Sequence, residues 1–346
     1  MRVLVIKTSS LGDVLHVLPA LTDAARALPQ ARFDWLIEEA YAEIPAWHPA
    51  IDTVIPVALR RWRHGFLRSA HRTEWLQALS FLRSRRYDRI VDAQGLIKSG
   101  VLAACGRGER HGFGFASARE PLAALFYGHR HTVDRNCHAV LRLRRLFALA
   151  LDYTMPEDGI DYGISRAPAA SCPQDTAYLV FLHGTAWPTK QWPERYWMEL
   201  ARLANDAGLR VLLPAGSREE ADRAQRIAAS ATNARVLPPM NLTQLAGVLA
   251  GAQGVVGVDT GLAHCAAALS VPSVTIYGAT NPGLTGTVGK AQYHASADFA
   301  CAPCLRRVCY YRADAPVTPA CYQTLPPLRV WGMVTALLRG SPRHRD

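Results

Sequence analysis

The chain has 346 residues, a formal charge of +11 and 49% hydrophobic side chains. That length suggests two domains with sizeable cores, and a basic excess favours polyanionic partners: nucleic acid, anionic headgroups or phosphorylated substrates. No zinc-finger or RNP-type motif is present, no run of 18 apolar residues could cross a membrane, and Met1-Arg2 leads straight into a strand rather than a signal helix, so a cytoplasmic protein that does not bind nucleic acid is expected.

Val3-Leu4-Val5-Ile6 is short, branched and apolar, which predicts a buried strand of a parallel sheet. Leu15, Leu18, Leu21, Ala25 and Leu28 follow at roughly helical spacing. Between them lies the turn Lys7-Thr8-Ser9-Ser10-Leu11-Gly12-Asp13. Ligands of open α/β sheets gather beyond the carboxyl ends of strands, so this turn is a candidate site. Asp13 reads either as a helix cap, worth about 1 kcal/mol, or as a carboxylate with chemistry to do. Strands are predicted at 33–37 and 51–55. Leu59-Arg60-Arg61-Trp62-Arg63 shows neither strand nor helix periodicity. Three arginines around an indole make either an anion site or a solvated surface, and Arg68, Arg72, Arg83, Arg85 and Arg86 extend the basic excess.

A helix is predicted over 73–86 with Trp75, Leu76, Leu79 and Leu82 on one face, then a strand over 87–92. That strand runs into Ala93-Gln94-Gly95-Leu96-Ile97-Lys98-Ser99-Gly100, which places Gln94 and Lys98 at the same sheet end as Asp13. A strand at 111–115, a helix start at Pro121 and a helix over 136–151 complete the first half. Residues 152–176 break the pattern with prolines and glycines. The expected organisation is therefore an N-terminal Rossmann-like domain over 1–155, a linker over 156–176, a second Rossmann-like domain over 177–324 and a helix and tail over 325–346.

In the second half, strands are predicted at 177–182, 209–213, 254–258 and, last, 273–277. Helices are predicted after Pro193, from Ser217 with Glu219 and Glu220 in its first turn, and over 242–251. Lys190 follows a strand end and a hydroxyl-bearing loop, and Thr260 and Gly261 stand at a helix N-terminus directly after another strand. Backbone N–H groups, a hydroxyl and a cation at one sheet end make a diphosphate site. Neither a Walker A sequence nor a strand followed by G-x-G-x-x-G is present. Asp259 beside that site reads as a helix cap, or as a partner of N–H groups or a sugar hydroxyl. His264, one turn into the helix, is an ordinary histidine or a donor to phosphate. Cys105, Cys137 and Cys265 read as small core residues. Cys301 and Cys304 form a C-x2-C, with Cys309 and Cys321 following, and zinc, a disulfide or free thiols stay open for these four.

Three stretches carry a resemblance. Lys7-Thr8-Ser9-Ser10-Leu11-Gly12-Asp13-Val14-Leu15-His16, Val258-Asp259-Thr260-Gly261-Leu262-Ala263-His264 and Tyr277-Gly278-Ala279-Thr280-Asn281-Pro282 resemble, in that order, the signatures of glycosyltransferase family 9, the lipopolysaccharide heptosyltransferases. Arg60-Arg61-Trp62-Arg63, the segment from Asp92 to Ser99 and Ala118-Arg119-Glu120-Pro121-Leu122-Ala123 resemble its heptosyltransferase I branch. Heptosyltransferase II, another nucleotide-sugar enzyme and a non-catalytic polyanion binder are the alternatives. The resemblance implies a GT-B fold, two Rossmann-like domains facing across a cleft. It implies an ADP-heptose donor, a Kdo2-lipid A acceptor at the anionic cytoplasmic face of the inner membrane, inversion at the sugar carbon, and no metal or other cofactor. A peripheral monomer is expected. Asp13 is then the general base, with Lys190 stabilising the leaving diphosphate. Thr185, Lys190, Thr260 and Gly261 would contact that diphosphate, Glu220 the ribose side and Met240 the adenine side, with Asp259 and His264 completing the donor site. Ser10, Arg60, Arg61, Arg63, Gln94, Lys98 and Arg119 would meet the acceptor. Thr185-Ala186 departs from the two adjacent hydroxyl residues common in relatives, and Trp187-Pro188 is also unlike the family.

Overall fold

The computed structural model describes residues 1–65, 69–157, 159–164 and 177–340; Arg68, most of the expected linker and the last six residues lie outside that range. The chain divides into two compact units, Met1–Arg166 and Ala167–Asp346.

Unit 1 contains strands β1 (Arg2–Ile6), β2 (Arg32–Glu38), β3 (Ile51–Val57), β4 (Arg86–Asp92), β5 (Arg107–Phe113) and β6 (His129–His131). They form one parallel sheet in the order β3-β2-β1-β4-β5-β6. Its helices are α1 (Leu11–Leu15), α2 (Leu18–Ala27), α3 (Glu43–Ala46), α4 (Leu59–Arg63), α5 (Ser69–Ser84), α6 (Ile97–Cys105) and α7 (Ala139–Leu151). β1 is central, and Val3, Leu4, Val5 and Ile6 are fully buried, as a strand covered on both faces requires. The single first helix expected from the spacing is two, because Pro19 supplies no N–H and sits in the first turn of a restarted helix.

Unit 2 contains β7 (Tyr178–Leu182), β8 (Arg210–Leu213), β9 (Ala234–Val236), β10 (Gly254–Val258), β11 (Ser273–Tyr277) and β12 (Gln292–Ser296). Its helices are α8 (Glu194–Asp206), α9 (Arg218–Ala228), α10 (Leu242–Gly251), α11 (Gly261–Ala268), α12 (Pro282–Thr285) and α13 (Pro327–Gly340). The sheet order is β12-β11-β10-β7-β8-β9, again parallel throughout. Counted within its unit, each sheet therefore runs third, second, first, fourth, fifth, sixth. That is the doubly wound order whose switch point lies between first and fourth strands, where ligands bind.

Several expectations are corrected. Residues 59–63 are helical, but five residues are too few to show a period. Trp62 does not brace the arginines: it is buried, meets Trp75 edge-on at 5.6 Å and donates its N–H to Glu74. Leu76 is exposed rather than on the packed face of α5. β6, β9 and β12 were not expected, β6 and β9 because three residues show no alternation and β12 because Gln292-Tyr293-His294-Ala295-Ser296 is mostly polar on a sheet edge. Cys265 is a core residue, whereas Cys105 and Cys137 are only half-buried. No helix among the described residues is long and apolar enough to cross a membrane.

Candidate active site

The switch point of unit 1 is built by the loops after β1 and β4. Asp92, fully buried at the end of β4, accepts the N–H groups of Gln94 (2.8 Å) and Gly95 (3.2 Å) and the Tyr127 hydroxyl (2.6 Å). Burial pushes its carboxyl upward and these donors oppose the shift. The loop can turn there because Gly95 has a φ of +68°, which side chains rarely adopt. Gln94 then latches this loop to the first one. Its amide oxygen accepts from Thr8 N–H at 3.0 Å and Ser9 N–H at 3.3 Å, and its amide nitrogen donates to Ser9 at 2.8 Å. With its amide engaged on the chain, Gln94 shapes the loop instead of reaching out.

Asp13 is the third residue of α1, four residues past the latched Ser9. Ser10 donates to its Oδ2 twice, from backbone N–H (3.0 Å) and from its hydroxyl (2.7 Å). The cap of α1 is Ser10 rather than Asp13, which stands at the third helical position and returns a carboxylate oxygen to the cap's N–H; among the described residues its Oδ1 takes no hydrogen bond. Burial disfavours the Asp13 anion, but the nearby charges of Lys7 and His16 and the Ser10 bonds outweigh it and hold the carboxyl at about 2. Lys7 is buried, donates to the Ala93 carbonyl at 3.1 Å and has its own pKa lowered by burial. Lys98 and Arg119 are exposed on the neighbouring segments, and among the described residues neither makes an ion pair. Arg60 lies over the Tyr41 ring at 5.6 Å and Arg63 is exposed. Arg61 is spoken for: its guanidinium grips both oxygens of Glu39 at 3.1 and 3.0 Å and reaches Glu74 at 3.0 Å.

In unit 2 the switch point lies between β7 and β10. Asp259, at the end of β10, is buried, and its Oδ2 takes Lys190 Nζ at 2.7 Å and the Thr280 hydroxyl at 2.7 Å. His264 Nε2 stands 3.7 Å from Oδ1. Burial opposes ionisation, yet His264, Lys190 and Thr280 together hold the carboxyl well below the usual carboxylate range. The N–H or sugar-hydroxyl partners expected for Asp259 are thus replaced by an ammonium and a threonine. Lys190 also lies over the Trp187 ring at 4.7 Å, and Arg307 approaches the same ring at 5.3 Å. Thr185 donates to the Asp259 carbonyl at 3.3 Å. Thr260 caps α11 with no side-chain cap bond; Ala263 N–H bonds the Thr260 carbonyl at 3.1 Å, and among the described residues the N–H groups of Gly261 and Leu262 take no partner.

The family whose sequence pattern matches is described as Glycosyltransferase family 9 (heptosyltransferase), and the match covers residues 75–313. Lipopolysaccharide heptosyltransferase 1 of Pseudomonas aeruginosa is 50% identical over 98% of both chains. The chain belongs to glycosyltransferase family 9.

Other family 9 relatives agree. Lipopolysaccharide heptosyltransferase 1 of Escherichia coli K12 is 48% identical over 84% of this chain and 92% of its own. The E. coli heptosyltransferase WaaC solved with ADP superposes with a TM-score of 0.82 at 48% identity, covering 86% of this chain and 93% of that one. WaaC with ADP-2-deoxy-2-fluoro heptose gives 0.83 at 42% identity over 97% and 99%. Both solved relatives are GT-B proteins, and the two doubly wound sheets found here are their α/β architecture.

For a family 9 enzyme, the remaining expected donor residues stand at the same sheet end of unit 2. Glu220, in the first turn of α9, accepts the Gly216 N–H at 2.8 Å. Its Oε1 lies so close to Gly184 that a Cβ there would approach to 2.4 Å, so the loop after β7 needs glycine to let the carboxylate in. Met240 is exposed in the loop before α10. Three residues of these half-sites were not singled out from sequence: Tyr127, Thr280 and Arg307. Thr280 lies within a quoted family signature; the other two carry no pattern that spacing could reveal.

Proposed function

We propose that this chain transfers heptose from ADP-heptose to the Kdo of Kdo2-lipid A, with inversion at the sugar carbon, in building the lipopolysaccharide inner core. The observation carrying this reading is the 50% identity over 98% of both chains with a lipopolysaccharide heptosyltransferase 1. The heptosyltransferase 2 of E. coli reaches only 26% over 82% of this chain, which favours the Kdo acceptor over a heptosylated one.

Asp13 Oδ1 takes the proton of the acceptor hydroxyl as its oxygen bonds to the anomeric carbon. The bond from that carbon to the diphosphate breaks, and ADP leaves with the electron pair. General-base assistance of this kind contributes about 10²–10⁴-fold. Lys190, the Thr185 hydroxyl and the N–H groups at Thr260 and Gly261 receive the charge that develops on the leaving group. Asp259 and His264 position Lys190, while Glu220 and Met240 serve the ribose and adenine sides. No step here calls for a metal. Lys98, Arg119, Arg60 and Arg63 meet the acceptor's carboxylates and phosphates, with Ser10 and Gln94 shaping the turn it approaches. The +11 charge suits a protein resting on the anionic cytoplasmic face of a membrane. Mixing the chain with ADP-heptose and Kdo2-lipid A should release ADP and add one heptose mass to the lipid. ADP release with a heptosylated acceptor but not with Kdo2-lipid A would assign the later transfer instead.

A further inference from the structure

Cys301, Cys304, Cys309 and Cys321 have no place in the chemistry above. Their spacing is C-x2-C-x4-C-x11-C. All four line one small cavity in unit 2, shared with Thr189 and Ala279, and none is in a disulfide. Cys321 is buried, and Tyr322 beside it is fully enclosed. Four thiols from two separate segments thus face one small cavity, Cys321 buried and Cys301, Cys304 and Cys309 half-buried.

We propose that Cys301, Cys304, Cys309 and Cys321 bind one tetrahedral thiolate-ligated ion, Zn(II) or Fe(II), that braces the donor half-site. Thiolate sulfur selects such ions. No three of these sulfurs lie within 4.8 Å of one another, whereas bonds of about 2.3 Å set a tetrahedral edge of about 3.8 Å, so ligation requires the two segments to close by about 1 Å or more. Each thiol that ligates loses its proton to solvent, up to four per ion.

What the ion would brace follows from the bonds around the C-x2-C turn. Leu305 N–H donates to the Ala279 carbonyl at 2.7 Å, and the Arg306 carbonyl accepts from the Thr189 hydroxyl. The Tyr322 hydroxyl donates to the Thr189 carbonyl at 3.2 Å. Thr189 immediately precedes Lys190, and Ala279 immediately precedes Thr280. These are the two residues that bond Asp259 Oδ2. The thiol segment thus buttresses both partners of the buried carboxylate. Its effect on catalysis rests on the donor role proposed for Lys190; the metal site itself does not.

Elemental analysis of the full-length chain, purified without chelator from medium containing zinc and iron, should find about one ion per chain, and its identity separates the two metals. Cobalt(II) exchanged into the protein should show thiolate-to-cobalt charge transfer. Thiol titration of the native protein needs no variant: four cysteines should react only after a chelator is added. Cys304→Ser with Cys309→Ser should lose the ion and raise the KM for ADP-heptose more than it lowers kcat. A second cluster, Glu109, His111 and His129, has its ligand atoms within 4.8 Å of one another and serves as the control. Retention of the ion in the cysteine variant, its loss in His129→Ala, or cobalt bound with no thiolate band would each overturn the proposal. So would a native chain that holds no ion and takes up no cobalt. Metal bound through sulfur in a chain that turns over no ADP-heptose would uphold the site and count against the donor reading alone.

Discussion

The two units place an acid and a lysine at the same switch point of the same sheet order, and wire them in opposite senses. In unit 1 the lysine is hidden: Lys7 is 6% exposed and bonds a carbonyl, while Asp13 keeps one carboxylate oxygen uncommitted. In unit 2 the acid is hidden: Asp259 is 6% exposed and carries three partners, while Lys190 stands nearer the surface. One fold therefore presents a carboxylate, held ionised by a cation behind it, and the other presents an ammonium, held in place by an anion behind it. A transfer reaction needs both, a proton acceptor for the incoming hydroxyl and a positive charge for the departing diphosphate. The inversion lies in which partner is buried, and in the proposed reaction the buried member tunes while the outer member acts.

The sharpest way to break this comparison is to neutralise each outer member. Asp13→Asn should lower kcat by about 10²–10⁴ and leave ADP-heptose affinity nearly intact by calorimetry; near-normal turnover would remove Asp13 from the base role. Lys190→Ala should lower kcat by about 10²–10³ and weaken donor binding. It also strands Asp259 as a buried anion, which costs about 3–5 kcal/mol when a buried pair loses one member. Thermal unfolding should therefore show a large drop for Lys190→Ala, partly recovered in Lys190→Ala with Asp259→Asn, while turnover stays lost. If turnover returned along with stability, Lys190 would be a structural partner and the comparison would fail.

Much of this was legible in the residues. β1, β7, β10 and β11 read clearly because central parallel strands are short apolar runs, β4 showed only its apolar Ile90-Val91 end, and the polar turns after them had to lie at one sheet end. Asp13, Lys190, Thr260, Gly261 and His264 were reachable as candidates from that logic alone, and the family resemblance added Glu220 and Met240. What spacing could not show were partners that meet only through the fold. The bond from Thr280 to Asp259 spans 21 residues, the Gln94 latch spans 85 and 86, and the grip of Glu39 on Arg61 joins a loop to a five-residue helix. Each changes the meaning of a residue whose type was already known: Gln94 shapes a loop, and Arg61 is a cation already neutralised.

A subtler test reaches the hidden member of unit 1. Lys7→Met keeps the length of the side chain and removes its charge. Burial then meets less opposition, so the Asp13 carboxyl rises from about 2 towards or past its ordinary 3.8. With the carboxylate as the proposed base, activity is lost as pH falls through that pKa, and a raised pKa moves the acid limb of kcat to higher pH. The rise should be about one to two pH units, which moves the bend in the acid limb from about pH 2 to about pH 3–4. An unmoved limb would leave Lys7 as lining only.

The smallest effects separate free from committed arginines in unit 1. Arg119 is exposed and makes no ion pair among the described residues, whereas the Arg61 fork is filled by Glu39 and Glu74. A hydrogen bond to a charged group is worth about 1.5–3 kcal/mol, so Arg119→Ala should raise the KM for Kdo2-lipid A about tenfold and leave that for ADP-heptose unchanged. An exposed ion pair contributes about 0–1 kcal/mol, so Arg61→Ala should move either KM by less than about fivefold. For Arg61 to bind the acceptor, it must first release two carboxylates, which then repel the same anionic ligand. If Arg61→Ala nevertheless costs more than Arg119→Ala, the acceptor displaces Glu39 and Glu74, and the anion-binding face of unit 1 reaches from the switch point out to α4.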